Sequence, residues 1–136
     1  MRIIEVPQQT AYANVGQRIV AYVTVKNITS MTKTFNVFGR IIDPDGRGMS
    51  FIHWLDSTYT GYPSVTLSPN QSKTLEFINW APNYTGVYDG YWCVGIYNSQ
   101  LLKWDEIWDE VLTPRFLTVV EATWLQQLLQ PPFKHG

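Results

Sequence analysis

Two histidines, one cysteine and eleven acidic residues are the groups in this chain able to do acid–base, nucleophilic or metal chemistry. His53 stands beside Trp54, and His135 precedes the final glycine. A Ser-His-Asp triad would have to use His53, yet no G-x-S-x-G elbow presents a serine to it. His53 is expected to be an ordinary strand histidine. Cys93 sits in an apolar, strand-like run, where a buried free thiol behaves as a small hydrophobe rather than a nucleophile. Asp43 and Asp45 could be read as calcium ligands, but an EF-hand loop needs a glutamate at its twelfth position, where Trp54 stands. A Pro-Asp-Gly turn accounts for that segment. Asp105, Glu106, Asp109 and Glu110 are the densest acids. Glycosidase chemistry would need opposed carboxylates in a cleft, whereas four acids on one exposed face read as a solvated surface. There is no CxxC pair, histidine cluster or phosphate-cradling glycine loop. The expectation is a chain that is not an enzyme and takes no cofactor or metal.

The composition narrows the class further. The chain has 136 residues and a formal net charge of -1, with 45% apolar and only 15% charged residues. Such a length suits one domain with a sizeable core. Near-neutral charge excludes a strongly basic nucleic-acid footprint. No apolar run approaches the roughly 20 residues of a membrane helix. Neither nucleic acid nor membrane is expected as a partner. The segment MRIIEVPQQT lacks the apolar core and cleavage site of a signal peptide. Three Asn-x-Ser/Thr sequons, at Asn27, Asn70 and Asn83, carry little weight without one.

Short strand-like runs separated by turn chemistry fill most of the chain. Arg2 to Val6 is a first run, stopped by Pro7. Arg18 to Lys26 alternates, with Ile19, Ala21, Val23 and Val25 on one face. Thr34 to Ile42 ends at the turn Asp43-Pro-Asp-Gly46. Ser50 to Leu55 and Ser64 to Leu67 are short strand candidates. Ser72 to Trp80, Val87 to Tyr97 and Arg115 to Glu121 follow. The alternation places Ile19, Val23, Val25, Phe35, Val37, Ile41, Leu75, Phe77, Tyr88, Trp92 and Val94 in the core. Two segments have helical spacing. Leu101 to Leu112 sets Leu101, Trp104, Ile107, Trp108 and Val111 on one stripe, predicting a short amphipathic helix, with a β-hairpin as the rival reading. Glu121 to Gln130 spaces Trp124, Leu125, Leu128 and Leu129 likewise, as a C-terminal helix or tail ended by Pro131-Pro132.

The segments IVAYVTVKN, FGRIIDPDG, LSPNQSKTLEFINWAP, TGVYDGYWCVGIYN and RFLTVV follow one another in an order that resembles Ig-like modules of bacterial, archaeal and viral surface proteins. The resemblance covers roughly residues 2–121. It implies an all-β fold: an Ig-like antiparallel β-sandwich of about seven strands, with a short helical insertion before the last strand and a C-terminal helical tail. The domain is expected over 1–121 and a tail or arm over 122–136. The resemblance gives Tyr88, two residues after Gly86, the tyrosine-corner role. A rival register would use Tyr91, two residues before Cys93, but a second cysteine is missing.

Aromatics make up 15% of the chain: six Trp, eight Tyr and six Phe. The strand from Val87 to Tyr97 is apolar on both faces, and Tyr91, Tyr97, Phe38 and Ile42 are expected to share one outward patch. Exposed patches of several hundred Å² usually mark interfaces. Either another chain covers this one or one of the helical segments folds back over it. The interaction candidates are therefore Phe38, Ile42, Tyr91, Tyr97, Trp104, Trp108, Trp124 and Leu128. The expected function is a structural or interaction module of a surface assembly, a virion component such as a capsid decoration or tail protein, or a filament or adhesion subunit. Its partners would be other protein chains of that assembly, with homo-oligomerisation, at a virion or extracellular surface. The alternative is a carbohydrate-binding module using the loop aromatics Trp54, Tyr59 and Tyr62, with a glycan as ligand.

Overall fold

A computed structural model describes residues 2–5, 11–55 and 58–121, which form eleven strands and contain no helix. The strands are β1 (Arg2–Glu5), β2 (Ala11–Asn14), β3 (Arg18–Lys26), β4 (Lys33–Ile42), β5 (Gly48–Ser50) and β6 (His53–Leu55), then β7 (Thr58–Thr60), β8 (Ser64–Leu67), β9 (Ser72–Trp80), β10 (Gly86–Asn98) and β11 (Lys103–Val120). One sheet has the order β1-β3-β9. The other runs β2-β11-β10-β4-β5, with β8 also on β4, and β6 and β7 form a separate pair. All pairings are antiparallel except β2 with β11. The fold is all-β.

Alternation explains why the two large sheets meet. In β3 the residues Ile19, Ala21, Val23 and Val25 are buried while Arg18, Val20 and Tyr22 are exposed. A period of two puts one apolar row on one face, and that face must be covered. Phe35, Val37 and Ile41 of β4, Leu75 and Phe77 of β9, and Tyr88, Trp92 and Val94 of β10 join the same core. All eleven residues expected in the core are found there. Phe51, Val65, Leu67, Phe116 and Leu117 add to it.

Trp92 is wholly buried, with its indole nitrogen donating to the Thr113 hydroxyl at 3.0 Å. Its ring fills space over Gly39 of neighbouring β4 and over Gly90 of its own strand. A Cβ built on Gly39 would lie 2.6 Å from the indole, and one on Gly90 would lie 2.9 Å from it. Glycine is needed at both places because the ring occupies the side-chain volume. The Tyr88 hydroxyl donates to the Tyr84 carbonyl at 2.6 Å, across the turn that opens β10. Tyr91 bonds the Glu110 carboxylate instead.

The helix expected over Leu101 to Leu112 is absent. Lys103–Val120 is one long strand, so the hairpin reading is the correct one. The β10–β11 register shifts between Val94 and Gly95 and again between Ile96 and Tyr97. Trp108 and Asp105 are the extra residues on β11 at those two bulges. Each bulge flips the alternation, and two flips within a few residues imitate the three-to-four spacing of a helix. The C-terminal helix expected from Glu121 to Gln130 lies outside the described residues beyond Glu121, as do Trp124 and Leu128. Asn27 is fully buried, and its side chain donates to the Met31 and Leu67 carbonyls, so that sequon is closed in the folded chain.

Candidate functional site

The groups considered for catalysis are engaged in local structure. His53 Nδ1 lies 2.7 Å from the Glu76 carbonyl, which can only accept, so Nδ1 is the donor and the ring caps the edge of β9. Cys93 is fully buried, and burial pushes its thiol up to about 11, far from the thiolate a nucleophile needs. Asp43 turns back on its own loop. Its Oδ1 accepts from the Asp45 and Arg47 amides at 3.0 and 2.8 Å, and its Oδ2 takes the Arg47 Nε at 2.7 Å. The four clustered acids do not share one face. Glu110 takes the Tyr91 hydroxyl, and Glu106 accepts from the Trp108 indole at 3.3 Å.

The outward face of the larger sheet is where the aromatics gather. Opposite the core-facing Trp92 and Val94, β10 turns Tyr91, Cys93 and Tyr97 outward, and Cys93 pairs with Phe38 of β4. Trp104 of β11 pairs with Tyr97. Tyr62 reaches in from the loop between β7 and β8. Its ring is near-parallel to Phe38 at 5.1 Å and to Tyr97 at 3.5 Å, making it the middle ring of a stack. Trp104 meets Phe38, Tyr62 and Tyr97 edge-on at 6.1, 5.8 and 5.3 Å. Tyr91 meets Phe38 edge-on at 6.4 Å. Tilted contacts of this kind suit the ring quadrupoles and add to the burial energy.

Asn36 explains why the stack forms where it does. β4 and β10 part company after the Asn36–Gly95 pair. There the Asn36 Nδ2 donates to the Tyr62 carbonyl at 3.1 Å, while its Oδ1 accepts the Tyr97 amide at 3.0 Å. One side chain thus closes the gap between two backbones. Burial, then the Tyr97 hydroxyl, pushes the Tyr62 phenol up to about 12. Burial and the Glu110 bond push Tyr91 up as well.

Of the interaction candidates, the structure brings together Phe38, Tyr91, Tyr97 and Trp104. Phe38 is buried beneath the others, and those three are half-buried. Ile42 lies on the same side of β4 but four residues away, about 13 Å at the usual strand rise, opposite Asp89 and Gly48. Trp108 faces the other way and packs against the core, 6.0 Å from Phe35. Of the sugar-binding trio, the side chains of Trp54 and Tyr59 lie outside the described residues. Trp54 and Tyr59 are paired positions of β6 and β7, while Tyr62 is the middle of the outer stack. Two surface residues escape the sequence reading. Ile107, opposite Gly95, and Leu112, opposite Tyr91, are 50% and 54% exposed on the same outward face. Helical spacing puts Ile107 on one stripe with Trp108, and only the bulges reveal that the two face opposite ways. Arg40, opposite Tyr91, has a buried Nε without a partner among the described residues.

No family model and no curated protein matches the sequence. Among solved structures, the chain is similar to part of an alkylpurine DNA glycosylase from Pseudomonas fluorescens bound to DNA containing an abasic site analog. The TM-score is 0.51 at 12% identity, over 80% of this chain and 27% of that one. It is also similar to part of a family 123 glycoside hydrolase from Clostridium perfringens, with a TM-score of 0.53 at 11% identity over 83% of this chain and 23% of that one. The chain spans about a quarter of the length of either protein, and the likeness is one of fold.

Proposed function

We propose that this chain is a non-catalytic Ig-like β-sandwich module that joins other protein chains, copies of itself among them, through the outer face of its larger sheet. The strand order supports the Ig-like part. A β1-β3-β9 sheet faces a β2-β11-β10-β4-β5 sheet, and a tyrosine corner at Tyr88 lies near the start of β10, the penultimate long strand. The non-catalytic part draws support from where His53, Cys93 and Asp43 are engaged.

The observation that carries the interaction reading is the cluster of Phe38, Tyr62, Tyr91, Tyr97 and Trp104, flanked by exposed Ile107 and Leu112. Aromatic anchors ringed by smaller apolar contacts are what protein interfaces use. A net charge of -1 leaves little repulsion between copies. The surface of a virion or filament is the setting we favour. The test is sedimentation of the chain carrying Ile107→Asp and Leu112→Asp, which should abolish association and leave the melting temperature unchanged.

A further inference from the structure

Resting on the reading of the outer sheet face as a protein-binding surface, we propose that its partner is a second copy of this chain. The two copies are joined by reciprocal Arg40–Glu110 ion pairs across a two-fold axis.

Arg40 and Glu110 stand on either side of β10. Arg40 of β4 lies opposite Tyr91, and Glu110 of β11 lies opposite Cys93. Residues directly opposite share a face of the sheet, so both side chains belong to the outer one. Two strand spacings separate them, about 10 Å. Tyr91 fills the space between, with its hydroxyl bonded to the Glu110 carboxylate.

Neither charge is fully answered within the chain. Arg40 is half-buried, and its Nε is enclosed without a partner among the described residues. The ion pairs among those residues use Arg18 and Arg47. Asp89, the acid diagonal to Arg40 across the β4–β10 ladder, instead accepts the Arg115 amide at 2.9 Å. Glu110 is exposed, and the Tyr91 hydroxyl occupies one of its two oxygens. A charge partly withdrawn from water is screened less, so an opposite charge gains more there.

This charge pattern is its own complement. Any partner laid on the face must answer a base on one side of β10 and an acid on the other. A wholly acidic or wholly basic partner would satisfy one charge and oppose the other. In a two-fold contact residue i meets j, and j meets i. An axis lying over β10, between Tyr91 and Cys93, turns the face over and sets each Arg40 against Glu110 of the partner subunit. Sheets packed face to face lie about 10 Å apart, a gap that an arginine and a glutamate side chain span together. Tyr91 and the exposed Leu112 then lie near the axis, between the two ion pairs. An apolar centre with charges toward the rim is the usual anatomy of an interface.

The test is sedimentation velocity of Arg40→Glu and Glu110→Arg, each alone and mixed in equal amounts, beside the parent. Each variant alone sets like charges together at both contacts, and its dimer should weaken about tenfold or more. In the mixture every contact between positions 40 and 110 again joins opposite charges, so the dimer should return. A merely structural effect of either substitution cannot produce that rescue. If a melting curve shows that a reversal does not fold, Arg40→Gln and Glu110→Gln take its place. Each should weaken the dimer and make it less sensitive to salt. A parent that stays monomeric at high concentration overturns both the proposal and the reading of the face beneath it. A parent that associates, with folded reversal or neutral variants that associate equally well, overturns the ion pairs alone. So does a mixture of folded reversals that fails to recover the dimer.

Discussion

The rings of Tyr62 and Tyr97 lie 3.5 Å apart and 2° from parallel. A face-to-face sandwich is not the arrangement aromatic pairs choose for themselves. The Asn36 amide, bonded to the backbone of both residues, holds them there. Asn36→Leu should remove both bonds at a cost of about 1–3 kcal/mol. It should also dim the near-UV circular dichroism of the tyrosines. Retention of that signal at full stability would mean the rings stack without the clamp.

Trp92 and Gly39 test the core. Trp92→Ala should cost about 3–5 kcal/mol in urea unfolding, the usual range for deleting a buried large aromatic. Gly39→Ala should also destabilise, because its methyl would meet the rigid indole at 2.6 Å. A neutral Gly39→Ala would place the indole elsewhere.

Tyr88→Phe keeps the ring and loses only the bond to the Tyr84 carbonyl. The expected loss is on the order of 1 kcal/mol, read as a lower urea midpoint.

Two groups give the stability a pH dependence. Burial acts to raise the Asp43 pKa, but the bonds from Arg47 and from the Asp45 amide outweigh it and hold the carboxyl below its ordinary value. A lowered folded value means stabilisation that is present above about pH 4 and lost as pH falls through it. Tyr62 behaves oppositely. Burial, with the Tyr97 hydroxyl, raises it to about 12, so its contribution is complete below about pH 10 and fades as pH rises toward 12. Asp43→Asn should flatten the acid limb of a melting-temperature profile, and Tyr62→Phe the alkaline limb.

Much of the fold is legible in the sequence because alternation is a local signal. The bounds of β3, β8 and β9 follow from it directly, and so does the side of β4 and β10 that faces inward. The failures have one cause. Around Asp105 and Trp108 the bulges break the period, and the apolar spacing then matches a helix better than a strand. For that reason Ile107 and Trp108 read as one stripe, although Trp108 lies against the core and Ile107 is half exposed. Phe38, Tyr91 and Tyr97 can be grouped by strand parity alone. Tyr62 cannot, because it arrives from a loop whose path depends on Asn36, twenty-six residues earlier.

Sedimentation velocity of the full-length chain at high concentration, beside its Ile107→Asp, Leu112→Asp variant, tests the interaction reading most directly. Both altered residues are exposed, so the fold should tolerate the charges and only association should respond. The parent should sediment as a dimer or larger species, and the variant as a monomer with the same melting temperature. A parent that stays monomeric, or a variant that associates as the parent does, would contradict the assignment of the outer sheet face as a protein-binding surface.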